Sequence, residues 1–338
     1  KEIPALGFIA HMDTVSDFCD HEIRPMVTEN YDGGDLVLGT SGLVLSPKEF
    51  PHLTGLKGRT LLTSDGTTIL GADDKAGIAE ILTMIERIQT ENRPHGTICV
   101  AFTPDEEIGM GAEHFNLDQF GAEYAYTLDG DSEGEIQYEN FNACKAEFEI
   151  RGFNVHPGEG KDTMINASLV AIEINNCLPS METPRGTEDY EGFYHLISMQ
   201  GEVGEAKLNY IVRDHDKNGF EERKKTLRLI EKNLNAKWGE GTVTLKITDQ
   251  YLNMKEIVEE HMHLIDHAKK ACEAAGVAPL ILPIRGGTDG CQLSFKGLPC
   301  PNLGTGGHAF HGPYEHISVE GMEKSVELLL ALIQEYTK

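Results

Sequence analysis

Five side chains of the types that bind metal ions each stand just after an apolar, strand-like run of the sequence. These five residues are His11, Asp73, Glu107, Asp129 and His311. A further carboxylate, that of Glu106, lies next to the set and is not needed as a ligand. Two adjacent divalent ions and one unligated glutamate are sufficient to hydrolyse an amide bond. The set therefore predicts a two-metal hydrolase.

Taken singly, the motifs of the first third of the chain each have a second explanation. His11-Met-Asp13 is a His-x-Asp pair, in which a carboxylate can fix the second ring nitrogen of a metal-bound imidazole, but one such pair is weak evidence. Asp73 and Asp74 open a helix, so N-capping and ligation explain them equally well. The acidic run at residues 105–107 is either a solvated loop or a place where cations offset carboxylate repulsion.

The last two candidate ligands depend on their surroundings. Asp129 lies in Leu-Asp-Gly-Asp, which on its own is consistent with a simple turn, and it gains weight from the strand before it. His311 lies in a glycine-rich loop at residues 306–312, where side chains can be held close to a ligand. His308 and His316 are competing candidates in the same region.

Two other residues could contact a substrate. Arg285 lies among glycines at residues 283–290, where it could bind a carboxylate in bidentate fashion or pair with one of many surface acids. His156 precedes Pro-Gly at residues 154–158 and is either a turn residue or a group that swings over a site.

Composition restricts the partners and the compartment. The chain has 338 residues, more than one compact core usually carries, so two domains are expected. Its net charge of −26 would repel nucleic acid and anionic membranes, and we expect neither as a partner. The seven cysteines are scattered without a Cys-x-x-Cys pair, which predicts reduced thiols and a cytoplasmic protein. No signal peptide or membrane-spanning segment is expected.

The predicted elements place three of the candidate ligands at one edge of a sheet. Residues 4–10, 97–102 and 124–128 form predicted buried strands, which lead directly to His11, to Glu107 and to Asp129. Apolar strands separated by helices predict an α/β fold with a mostly parallel sheet. Ligands of such sheets bind beyond the carboxyl ends of the strands, which favours a shared site.

The middle of the chain has a different pattern. Its alternating strands and amphipathic helices follow the order β-α-β-β-α-β, which is typical of a ferredoxin-like α+β sandwich. We therefore predict one domain from residues 1–140 and 255–338 and an inserted domain at residues 141–254. The Gly- and Asp-rich residues 31–40 are expected to form a surface excursion.

The segments that carry the candidate site residues resemble the M20 metallopeptidases. The resemblance spans nearly the whole chain and lies at residues 7–14, 70–80, 100–107, 126–129, 139–143, 154–158, 190–195 and 283–290. It implies a di-zinc exopeptidase-like catalytic domain with a ferredoxin-like lid. Members usually carry several dozen more residues before the segment that matches Ile3, so we expect this chain to be truncated at its start.

The resemblance also implies a role for each candidate residue. Two zinc ions would be bridged by Asp73, with His11 and Asp129 completing one site and Glu107 and His311 the other. Glu106 would be the general base, Asp13 would orient His11, His156 would stabilise the oxyanion, and Arg285 would hold the substrate carboxylate. The implied reaction removes the N-terminal residue from a tripeptide.

Two alternatives remain open from the sequence. One is an amidohydrolase or dipeptidase of the same family, acting on small N-acyl amino acids or dipeptides with the same metal chemistry. The other is a metal-binding protein without activity, against which the intact Glu106 argues. The strand edges of the inserted domain could pair two subunits, so a homodimer is an expectation.

Overall fold

The computed structural model describes residues 3–338, which divide into two compact units. Of these residues, the first unit comprises residues 3–138, Met254–Leu282 and Thr288–Lys338, and the second comprises Glu139–Asn253 and Pro283–Gly287. The strands are β1 Leu6–His11, β2 Pro25–Thr28, β3 Leu36–Val37, β4 Val44–Leu45, β5 Leu61–Ser64, β6 Ile98–Thr103, β7 Tyr124–Gly130, β8 Glu135–Gln137, β9 Asn142–Arg151, β10 Phe193–Gly201, β11 Glu205–Asp214, β12 Val243–Tyr251, β13 Leu280–Ile281, β14 Asn302–Gly304, β15 Gly307–His308 and β16 His316–Ser318. The α-helices are α1 Ala72–Glu91, α2 Leu117–Phe120, α3 Ala167–Asn176, α4 Lys217–Trp238, α5 Lys255–Val258, α6 His263–Ala274, α7 Asp289–Phe295 and α8 Val319–Tyr336.

The main sheet of the first unit has the strand order β13-β8-β14-β7-β1-β6. All neighbouring pairs in it are parallel except β8 and β14, so the prediction of a mostly parallel sheet is confirmed. Every residue of β1 is buried, because both faces of this strand are covered. Strand β1 lies between β6 and β7, and this order brings the carboxyl ends of the three predicted strands together.

Helix α1 packs unusually close to the end of β7. A Cβ atom on Gly77 would lie 2.3 Å from the carbonyl oxygen of Leu128, so only glycine allows this approach. The helix buries Ile81, Met84 and Ile88 at helical spacing on its inner face. The start of α1, which carries two aspartates, is thereby held beside the strand that ends at Asp129.

A second, antiparallel sheet of the first unit has the order β15-β16-β5-β2. Beside it, Tyr31, Leu38, Leu45, Leu53 and Leu61 form a small buried apolar cluster. The prediction that residues 31–40 are a surface excursion is therefore wrong in part. The segment is rich in Gly and Asp, which predicts exposure, but the apolar side chains of Tyr31 and Leu38 are almost fully buried and anchor it.

The second unit has the β-α-β-β-α-β order, with α3 after β9 and α4 after β11. Its four strands form one antiparallel sheet in the order β10-β11-β9-β12, as in a ferredoxin-like sandwich. Alternate residues of β9 and β11, among them Phe148 and Tyr210, point into a core completed by Val170, Phe220 and Leu227.

The division of the chain differs from the prediction at residues 283–287. These residues were predicted with residues 255–338, yet they belong to the second unit. The physical reason lies in backbone pairing, because the N–H of Ile284 donates to the carbonyl of Glu139 at 2.8 Å. The neighbouring Arg285 donates to carbonyl oxygens of Thr187 and Asp189.

None of the helices within residues 3–338 combines the length and the apolar character required to cross a membrane.

Candidate metal centre

The parallel register sets the position of the first candidate ligands. His11 is the last residue of β1 and pairs with Thr103, the last residue of β6. Glu107 therefore follows just beyond the end of β6, while Asp129 lies near the end of β7, on the other side of β1. The three residues reach the same carboxyl edge of the sheet.

Asp73 connects two histidines that are 300 residues apart in the sequence. Its Oδ1 lies 2.7 Å from Nε2 of His11, and its Oδ2 lies 2.9 Å from Nε2 of His311. The peptide bond between Asp73 and Asp74 is cis. One carboxylate thus offers a separate oxygen to each imidazole, which is the arrangement expected of a ligand shared by two ions.

The remaining two carboxylates divide between the histidines. Oδ1 of Asp129 lies 3.4 Å from Nε2 of His11, and Oε2 of Glu107 lies 3.2 Å from Nε2 of His311. The five predicted ligands therefore form two overlapping groups that share Asp73. By the stricter measure of ligand atoms that all lie within 4.8 Å of one another, the groups are His11 with Asp74 and Asp129, and His11 with Asp73 and Glu107. These groups share His11 rather than Asp73, and His311 joins the site through its separate contacts with Asp73 and Glu107.

The carboxylates around both histidines stabilise the positively charged form of each imidazole. Burial alone would lower the pKa of His11, but hydrogen bonds to Asp129 and Asp73 raise it far above its ordinary value. Hydrogen bonds to Asp73 and Glu107 raise the pKa of His311 to about 10. Burial would raise the pKa of Asp73, yet the two imidazoles hold it well below its usual range.

Glu106 stands beside these groups without joining them. Its carboxylate accepts no hydrogen bond from the part of the chain described, residues 3–338. Burial, followed by the charge of Asp129, raises the pKa of Glu106 to about 9. A divalent cation in the cluster would lower this pKa, because its charge would offset that of the neighbouring carboxylates.

Asp13 acts mainly on the loop that carries the two glutamates. Its Oδ1 accepts the backbone N–H of Glu106 and its Oδ2 that of Glu107, both at 3.1 Å. The second ring nitrogen of His11 lies 3.0 Å from the backbone carbonyl of Asp13 but 3.5 Å from its carboxylate. Both acceptors belong to Asp13, with the carbonyl oxygen the nearer, so the orientation of His11 by Asp13 stays a prediction.

Two buried carboxylates of the site were not assigned from the sequence. Asp74 accepts the backbone N–H of His11 at 3.0 Å and that of Gly77 at 3.2 Å, so it joins β1 to α1. Glu315 reaches from the loop of His311 to the backbone around Asp73. Asp74 was visible as the second acid of a pair, whereas Glu315 had no signal beyond its position four residues after His311.

The two predicted substrate contacts both belong to the second unit. The His156 ring accepts the N–H of Gly158 at Nδ1, so a neutral ring carries its proton on Nε2, which is a donor. The Arg285 guanidinium donates to Thr187, Asp189 and Glu191, and it pairs with no carboxylate side chain in residues 3–338.

The competing histidines of the His311 loop form a separate cluster. Nδ1 of His316 donates to the carbonyl of Tyr314, which leaves Nε2 to accept a hydrogen bond from Nε2 of His52 at 2.9 Å. The ring of His308 lies 4.0 Å from that of His52. Burial lowers the pKa of His316 to about 4 and that of His308 to about 3, so this cluster is neutral.

This cluster predicts a loss of stability in mild acid. The pKa of His316 in the folded state, about 4, lies below its ordinary value of 6.5, so the unfolded chain binds more protons between these values. Lowering the pH from 6.5 to 4 should cost up to about 3 kcal/mol of unfolding free energy for this residue. Urea unfolding at several pH values should show a shallower dependence in His316→Gln. The exposed His95→Gln is the control, and equal slopes in both variants would contradict the prediction.

The residues present fit divalent metal ions. Ligands of a tetrahedral zinc ion at about 2.0–2.1 Å are about 3.3 Å apart, close to the 3.2 and 3.4 Å separations found for Glu107 and Asp129. The two contacts of Asp73, at 2.7 and 2.9 Å, are at hydrogen-bond distance and would lengthen around an ion. Imidazole nitrogens and carboxylate oxygens are suitable donors for such an ion. His11 and Asp129 would hold one ion, Glu107 and His311 the other, and Asp73 both.

Comparison with known proteins agrees with this geometry. The family model described as "Peptidase family M20/M25/M40" matches residues 66–335. Peptidase T of Caldanaerobacter subterraneus subsp. tengcongensis is 52% identical over 342 residues, covering 100% of this chain and 83% of the relative. Peptidase T of Clostridium perfringens is 55% identical over 339 residues, with the same coverage. The crystal structure of aminopeptidase PepT from Bacillus cereus has a TM-score of 0.78 at 26% identity and covers 99% of this chain and 82% of that one.

A mostly parallel sheet with overlapping histidine–carboxylate groups at its carboxyl edge defines the class, that of the metal-dependent α/β hydrolases. Within it, the chain belongs to peptidase family M20/M25/M40. It is thus an enzyme that hydrolyses peptide bonds, and the resemblance found in the sequence is confirmed.

Proposed function

We propose that this enzyme is an aminopeptidase that removes the N-terminal residue from tripeptides by means of two zinc ions. The observation that carries the proposal is the placement of Asp73, whose two oxygens contact His11 and His311 separately. The relatives named Peptidase T match the full length of the chain and support a peptide as the substrate.

The candidate ligands would hold the two ions at two neighbouring positions. When bound, two divalent ions polarise an amide carbonyl and lower the pKa of a water molecule. Asp73 would hold both ions, because its two oxygens contact the two histidines separately. His11 with Asp129 would complete the ligands of one ion and Glu107 with His311 those of the other, and such mixed nitrogen and oxygen donors suit zinc.

Glu106 is the general base of this proposal. Its carboxylate lies in the charged field of the ligands but contacts none of the ligand histidines, so it remains able to move a proton. Glu106 would take a proton from the attacking water and deliver it to the nitrogen of the leaving peptide. Asp13 holds the backbone of Glu106 and so fixes the base in place.

His156 and Arg285 complete the proposal as substrate contacts from the second unit, which would act as a lid. The Nε2–H of a neutral His156 is suited to donate to the oxyanion that develops on the substrate. The Arg285 guanidinium already donates to Thr187, Asp189 and Glu191, but none of these partners is a carboxylate, so its positive charge would remain to attract the carboxylate of a peptide.

The same reasoning extends to the setting of the enzyme. Free small peptides are the expected partners, and we infer a cytoplasmic location from seven cysteines that are all unpaired. The four-stranded sheet of the second unit ends in β10 and β12, whose edges could pair two copies into a homodimer.

A substrate panel tests the proposal. Release of the N-terminal residue should be measured for unblocked di-, tri- and tetrapeptides and for N-acetylated tripeptides, with zinc and with a chelator. We expect cleavage of free tripeptides that disappears with chelator and returns with zinc. Preference for N-acylated substrates or dipeptides would instead establish an amidohydrolase or dipeptidase, and metal binding without any turnover would leave only a binding role.

A further inference from the structure

Glu315 lies in the turn that follows His311 and is 1% exposed. Its Oε2 accepts the backbone N–H of Leu70 and that of Gly71, both at 2.7 Å. Its Oε1 accepts the N–H of Asp73 at 3.1 Å. One carboxylate from the segment of a candidate ligand therefore holds three backbone amides that lead to the shared aspartate.

The backbone around Gly71 explains how three amides can face one carboxylate. Gly71 has a φ of +73°, in the left-handed region that favours glycine. Successive backbone N–H groups in a turn that contains a left-handed residue can face one point and form an anion-binding concavity. Here the anion is a side chain of the protein, so the concavity is filled from within.

Similar ties, meaning hydrogen bonds from backbone N–H groups of one segment to a side-chain carboxylate of another, hold the other segments that carry candidate ligands. Asp74 accepts the N–H of His11, and Asp13 accepts the N–H groups of residues 106 and 107. Glu315 makes the same kind of bond, because its carboxylate, in the segment of His311, accepts a backbone N–H from the segment of Asp73. Each tie joins two segments that are distant in the sequence, and the tie of Glu315 spans 242 residues.

We propose that Glu315 is a positioning residue that sets the orientation of the Asp73 carboxylate between the two metal ions. The inference rests on the proposed function, since it assigns Glu315 through a metal site. The two oxygens of Asp73 face different histidines, so a small rotation of its backbone would move one oxygen away from its ion. Ligand placement within about 0.5 Å is what productive metal geometry requires.

Glu315→Gln isolates the contact with Asp73. With its oxygen at the position of Oε2, glutamine keeps the bonds from Leu70 and Gly71. Its NH₂ group then faces the N–H of Asp73, donor against donor, and that bond is lost. We expect the affinity for the more weakly held ion to fall about 10- to 100-fold, as for other residues that orient metal ligands.

A matched control exists in the same unit. Glu320 also accepts a backbone N–H with its carboxylate, that of Thr60 at 2.9 and 3.1 Å, and it contacts none of the candidate ligands within residues 3–338. Glu320→Gln removes the same kind of interaction elsewhere and should leave metal affinity unchanged. Glu315→Asp keeps the charge with a shorter reach, and it serves as the second variant if Glu315→Gln does not fold.

The experiment is a titration of metal-free protein with Co²⁺, followed by its visible absorption and by calorimetry. Thermal unfolding of the metal-free proteins separates folding from metal binding. We expect Glu315→Gln to show a weaker second Co²⁺-binding step and an altered absorption band. Its kcat should fall, while its KM should change little. Equal affinities and spectra in wild type, Glu315→Gln and Glu320→Gln would overturn the inference alone. A wild-type protein that binds no Co²⁺ would overturn the proposed function as well.

Discussion

Replacing Glu106 by glutamine is expected to lower kcat for a free tripeptide by about 10²- to 10⁴-fold while the bound metal stays in place. An amide cannot take a proton from water, whereas the Glu106 carboxylate contacts neither ligand histidine and accepts no hydrogen bond within residues 3–338. The measurement combines steady-state kinetics on a tripeptide with the metal content of the purified variant. Loss of metal together with activity would reassign Glu106 as a ligand.

The neighbouring acid provides a stringent control for this variant. Asp105 is exposed and has a φ of +61°, a conformation that asparagine also tolerates. Asp105→Asn removes a negative charge from the same loop without removing the proposed base. It should retain kcat within about twofold, since exposed charges contribute little. A loss as large as that of Glu106→Gln would show that the charge of the loop, rather than one carboxylate, matters.

The second large effect is expected for Asp73→Asn, which should leave the protein with one bound ion or none. Asparagine keeps one oxygen, but its NH₂ group would face one of the two imidazoles that Asp73 now contacts at 2.7 and 2.9 Å. Loss of one ion removes several kcal/mol of transition-state stabilisation, and about 4 kcal/mol corresponds to a fall of about 10³-fold in kcat.

Metal stoichiometry and kinetics on the same preparation test this prediction. Asp65→Asn serves as the control, because Asp65 also accepts a backbone N–H in a tight turn, that of Thr67 at 3.0 Å. It should retain two ions and normal activity. If Asp73→Asn also retained two ions with unchanged affinity, Asp73 would not be the shared ligand, and Asp74 would become the better candidate.

The sheet edge of the site could be predicted because the relevant strands are long and apolar. The run before His11 has no polar residue and the run before Asp129 is interrupted only by Thr127, and buried parallel strands end together at one edge. The alternation of β9 and β11 likewise indicated a sheet with one buried face. In both cases local pattern and tertiary position agree, so periodicity is sufficient.

The rest depends on contacts between distant segments. Three histidines of the segment after β14 were candidates. Within residues 3–338 only His311 of the three contacts Asp73, while His316 pairs with His52. The four short strands of the second sheet carry no periodicity, since each has two to four residues. Glu315 is an ordinary acid in the sequence, and only the turn at Gly71 gives it three donors.

The small loop at residues 283–287 has a consequence for dissecting the gene. Because it pairs with Glu139 and carries Arg285, the second unit is encoded by two separated stretches. A fragment cut at residues 139 and 253 would lack the strand partner of Asn140. Conversely, a first unit joined across that gap would retain a loop whose hydrogen-bond acceptors had been deleted. Domain exchange between relatives would therefore succeed only when both stretches of the second unit are transferred in the same chimera.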